Sequence, residues 1–132
     1  MTGDADSARR ACGLAAYASQ FGIAESEVPA HLGALIGERM AGEAISSAGG
    51  GAWEEGTLTL RERSMIVLAS LITQGGADAR LRGHVRWAVA HGVTAEQIEE
   101  LATLLTIYAG FPRATTSMEL IRAKLAAIGE QA

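Results

Sequence analysis

The sequence predicts an all-helical protein, a bundle of six helices joined by short connections. Two capping signatures lead to this reading: Thr59 stands three residues before Glu62, and Thr94 three residues before Gln97. The apolar residues that follow each signature recur at helical spacing, as Met65, Leu68, Ala69 and Ile72, and as Ile98, Leu101, Leu105 and Tyr108. No segment alternates apolar and polar residues between turn signals, so no strand is predicted.

The elements follow in order. Residues 1–8 are small and polar and are expected to be disordered. A first helix is predicted from Arg9 to Phe21, and a second from Glu27 to Ser46, with Pro29 acceptable in its first turn. The second helix carries Leu32, Leu35, Ile36, Met40 and Ile45 as its apolar stripe. Ser46 to Gly51 contains three consecutive glycines and reads as a loop, with Trp53 just beyond it as an interface anchor or a pocket lid. The Thr59-capped helix ends at Gly75–Gly76. The next runs from Ala77 to His91, the Thr94-capped helix ends at Gly110, and a last helix runs from Arg113 to Ile128.

The 132 residues suffice for one domain with a core, and the whole chain is read as a single domain. Hydrophobic residues make up 48%, high for so small a domain, and this predicts a homo-oligomer that buries the excess. A net charge of −4 argues against a nucleic-acid partner, although local arginines still suit a small anionic substrate. The single cysteine, Cys12, excludes a disulfide within the chain and any Cys-x-x-Cys motif. No apolar run reaches the length of a membrane span, and the expected location is cytoplasmic.

Chemistry-bearing residues concentrate on the Ala77–His91 helix. At 3.6 residues per turn, Arg80, His84, Trp87 and His91 share one narrow face. Leu81, Val85, Ala88 and Val89 form the neighbouring, core-directed face, and Arg82 and Arg86 lie further round. His84 is the candidate acid–base group, because an imidazole titrates near neutrality. His91 has two readings, a pocket residue or a last-turn cation on the helix dipole. Glu62 also has two, a helix cap or a catalytic carboxylate whose pKa Arg61 and Arg63 would lower. His84 and His91 are about 10.5 Å apart along the axis, too far to share a metal ion, and no metal site is expected.

Three segments taken together resemble the carboxymuconolactone decarboxylase family. They are Leu-Thr-Leu-Arg-Glu-Arg-Ser at 58–64, His-Val-Arg-Trp-Ala-Val-Ala-His-Gly-Val-Thr at 84–94, and Tyr-Ala-Gly-Phe-Pro at 108–112. The resemblance implies an alkylhydroperoxidase-like helical bundle that assembles as a trimer or hexamer, with pockets between subunits. It implies a cofactor-free carbon–carbon lyase acting on a small carboxylated lactone. His84 and Glu62 would be catalytic, and Arg80, Trp87, His91, Trp53, Tyr108 and Arg113 would contact substrate. A related branch of the fold carries Cys-x-x-Cys ahead of the matching histidine. Here Ala77 and Arg80 occupy those two places, which disfavours thiol chemistry. Trp87 and His91 stand where the family often has alanine and asparagine, so an isomerase, dehydratase or cyclase in the same pocket, or a non-catalytic ligand-binding oligomer, is the alternative.

Overall fold

The computed structural model describes residues 2–131. Among them are seven α-helices, one short 3-10 turn (Glu25–Glu27), one π-helical segment (Ala44–Ala52) and no strand. The chain divides into two compact units, Met1–Thr57 and Leu58–Ala132.

The first unit holds α1 (Thr2–Phe21), α2 (Val28–Ile36), α3 (Glu38–Glu43) and the π-helical segment. Its core is Ala18, Val28, Leu32, Ala41 and Ile45. Three expectations are corrected in this unit. Residues 2–8 are helical rather than disordered, with Asp4 in the first turn, where a carboxylate favours the helix dipole; residue 1 lies outside the described residues. The predicted Glu27–Ser46 helix is interrupted at Gly37, whose φ of 85° no helix accommodates, and this break raises the count from six helices to seven. Leu35 and Met40, on either side of it, are 57% and 62% exposed instead of completing a buried stripe.

The third correction concerns the glycine run. Ser46 to Gly51 is not a loop but lies inside the π-helical segment, and Gly49 and Gly50 are buried. Their packing against α1 explains why. A Cβ on Gly49 would stand 3.0 Å from Gly13 Cα and from the Tyr17 ring, one on Gly50 would overlap the Arg9 carbonyl, and one on Gly13 would overlap the Ile45 carbonyl. Glycine is required here because two backbones approach closely. At the edge of this contact Arg9 and Glu55 form a two-pronged ion pair at 2.9 and 3.0 Å.

The second unit holds α4 (Leu60–Gln74), α5 (Asp78–Ala90), α6 (Ala95–Tyr108) and α7 (Phe111–Gln131). Both capping boxes form as the sequence predicts. Helix α7 starts at Phe111, ahead of the predicted Arg113. Pro112 is tolerated in its first turn, where an N–H has no helical partner to lose. Leu68 and Ile72 of α4, Leu81, Val85 and Ala88 of α5, Ile98 and Ala102 of α6, and Ile121 of α7 build one core with Val93. The α5 residues assigned to the core face are therefore in it, with Val89 partly buried beside them.

Candidate active site

Helix α5 is fixed at both ends. Before it, Gly75 and Gly76 turn the chain with φ of 70° and 73°. After it, the Gly92 N–H donates to the Val89 carbonyl at 3.0 Å and the Val93 N–H to the Ala88 carbonyl at 3.0 Å. That crossed pair, with Gly92 at φ 90° and Val93 buried, is a Schellman stop and leaves His91 as the C-cap. Burial of Leu81, Val85 and Ala88 sets the roll of the helix and thereby the direction of the neighbouring face.

On that face three rings form a column. The His84 and Trp87 centroids are 5.8 Å apart with planes tilted by 49°, and those of Trp87 and His91 are 4.8 Å apart at 47°. Trp87 is only 6% exposed, so the indole is a wedge between two imidazoles rather than a surface ring. His84 is half-buried, with its Nδ1 atom enclosed. Burial first, and then the charge of Arg80, lower the His84 pKa to about 4. His84 is thus a neutral imidazole at pH 7. Arg80 itself is exposed.

Burial works against the last-turn cation that the position of His91 allows. Burial lowers its pKa, and its Nδ1 lies 2.8 Å from the Ser64 hydroxyl of α4. Ser64, 1% exposed, is a site residue that sequence reasoning missed. A signal was available, since Ser64 continues the i, i+4, i+8 stripe of Leu68 and Ile72 and puts a hydroxyl where the core needs a partner for it.

Two other candidates are engaged at opposite ends of α4. The Glu62 carboxylate accepts the Thr59 N–H at 2.7 Å, and this contact, more than nearby Arg61, holds its pKa below the usual carboxylate value. Arg63 turns inward, is buried, and donates to the Leu58 carbonyl at 3.0 Å. At the other end, the Arg113 guanidinium donates to the Thr73 carbonyl at 3.0 Å and to that of Gln74, placing a cation on the helix C-terminus. Tyr108 closes α6 and is 78% exposed. Trp53 belongs to the first unit, at the end of the π-helical segment. The column therefore joins His84, Trp87 and His91, with Ser64 added and Arg80 acting on His84 by its charge.

Among the described residues, no group of three or more His, Cys, Asp or Glu side chains is placed to hold a metal ion. None of the helices described is long and apolar enough to cross a membrane.

The carboxymuconolactone decarboxylase family model matches residues 40–123, well over half of the chain. This chain belongs to the carboxymuconolactone decarboxylase family. It is 33% identical over 73 residues to 4-carboxymuconolactone decarboxylase of Acinetobacter baylyi. That match covers 55% of this chain and 54% of the relative, so the chain spans about half the length of the curated protein it matches. Within the family, the single cysteine sets the chain apart from the Cys-x-x-Cys branch. Cys12 lies in α1, and α5 carries the histidine without the thiols.

Proposed function

We propose that this family member is a cofactor-free lyase that removes CO₂ from a small carboxylated lactone or a related enolisable acid, with His84 as the working imidazole. The observation that carries this reading is the half-buried, neutral His84 beside the exposed cation Arg80. Membership of the family and the resemblance to a decarboxylase support the reaction class. The family match also runs across the boundary between the two units, which supports reading them as one family domain.

Loss of CO₂ leaves an electron pair that delocalises into the lactone carbonyl as a dienolate, and a proton must then reach carbon. A neutral imidazole N–H can donate a hydrogen bond to the developing enolate oxygen without first giving up a full proton. Arg80 is suited to pair with the substrate anion. That pairing offsets the cation next to His84, the lesser of the two causes that lower its pKa, and so favours an imidazole that takes a proton from solvent water and delivers it to the carbon that lost CO₂. The capping geometry of Glu62 supports a structural role, with the proton chemistry assigned to His84.

The test is His84→Ala, purified and shown by circular dichroism to keep its helix content. Release of CO₂ from carboxymuconolactone is expected to fall at least about 10²-fold, the usual share of a positioned acid or base. Undiminished turnover would remove His84 from the mechanism. An isomerase, dehydratase or cyclase reaction is the second reading, favoured by the Trp87 indole that fills the face beside His84. Carboxymuconolactone that is turned over without CO₂ release would select it. Exposed Leu104, Ile107, Tyr108 and Phe111 support the homo-oligomer, whether trimer or hexamer.

A further inference from the structure

We infer that Ser64 is a positioning residue for His84, acting through His91 and Trp87. The chain of contacts runs through one hydrogen bond and two ring contacts. Ser64 Oγ and His91 Nδ1 are 2.8 Å apart, one of them donating according to the imidazole tautomer. The His91 backbone is held independently, because its N–H reaches the Trp87 carbonyl at 2.9 Å and the Schellman stop follows it. A ring with a fixed backbone and a fixed Nδ1 has little rotational freedom left. It forms one wall of the Trp87 slot, at a centroid distance of 4.8 Å, and His84 forms the other at 5.8 Å.

The size of the indole makes this coupling matter. A tryptophan only 6% exposed cannot change rotamer without displacing a neighbour. Releasing His91 opens one side of the slot, and the indole is then free to draw back from His84. Water would take its place, and the burial that keeps His84 neutral would weaken. If Ser64 is only a core serine with a satisfied hydroxyl, its removal lowers stability and leaves the His84 ring as it was. The two cases therefore differ at an atom remote from the mutation.

The consequence for turnover rests on the proposed role of His84; the structural coupling does not, and the experiment reads them separately. Imidazole ¹⁵N resonances of His84 and His91 are followed against pH in the wild-type chain, in Ser64→Ala and in His91→Asn. The asparagine retains a polar group able to bond Ser64 but has no ring to press on Trp87. In both variants the His84 midpoint is expected to rise from about 4 toward 6.5 by about one pH unit or more. Turnover is expected to fall about ten-fold with KM nearly unchanged, as loss of orientation requires. A His84 resonance and midpoint that stay at wild-type values in a folded Ser64→Ala overturn the inference. Should that variant fail to fold, unchanged His84 values in His91→Asn, altered at a half-buried position, overturn it equally. A shifted His84 with normal turnover upholds the positioning role and removes the catalytic one.

Discussion

In the first unit glycine brings backbones together at Gly13, Gly49 and Gly50, besides ending helices at Gly22 and Gly37; in the second it stops helices, at Gly75, Gly92 and Gly110. The same residue type serves opposite ends because it lacks one carbon. Without a Cβ, a helix can touch another backbone directly, and a chain can equally adopt the positive φ that ends a helix. Only the second use leaves a local signature. A stop glycine follows an apolar stripe and precedes a cap such as Thr94, whereas a contact glycine sits anywhere on the helix that its partner happens to reach.

The contrast is broken most forcefully at Gly13. An alanine there would drive its Cβ into the Ile45 carbonyl, a backbone atom that cannot swing aside. Gly13→Ala is expected to cost about 3 kcal/mol, at the upper end for forcing a carbon into a closed contact. Denaturant unfolding would read it, and a wild-type midpoint would show that the close contact carries no stability.

A smaller effect belongs to the second unit and comes through pH. Folding lowers the His84 pKa from 6.5 to about 4. Between those values the unfolded chain binds the extra proton and the folded chain does not. Stability therefore rises with pH across the window, is fully present above about 6.5, and is lost as pH falls toward 4. The full shift sets a ceiling of about 3 kcal/mol, and the partial exposure of the ring brings the expected loss to about 2 kcal/mol. His84→Gln should flatten this part of the stability–pH curve; a variant with the wild-type slope would assign the slope to another group.

The smallest effect sharpens the rule by its exception. Gly42 lies in α3 with nothing within 4 Å of where a Cβ would stand. It neither stops a helix nor touches a backbone, so Gly42→Ala is expected to stabilise by about 0.5–1 kcal/mol. A loss of stability on thermal melting would mean that Gly42 too is a contact glycine.

The candidate site was legible to the extent that it is local. Arg80, His84, Trp87 and His91 share a face because helical geometry alone puts them there, and the stops on either side of α5 are written in Gly76 and Gly92. Ser64 lies on α4, 27 positions before His91, and no periodicity connects the two. The family resemblance implies site roles for Glu62 and Arg113, and their geometry engages both at the ends of α4. For Glu62 the capping spacing had already offered that alternative; for Arg113, 40 positions from Thr73, nothing local did.

The sequence by itself determined the helical class, the four helices of the second unit, the capping boxes of α4 and α6 and the ring-bearing face of α5, because each depends on residues within a few turns of one another. The tertiary structure alone decided that three glycines form a π-helical contact instead of a loop, that Trp87 is a buried wedge, and that His91 turns inward to Ser64. It also decided the protonation of His84. Burial lowers that pKa more than the neighbouring Arg80 does, and burial depends on which side chains from other helices exclude water from the ring.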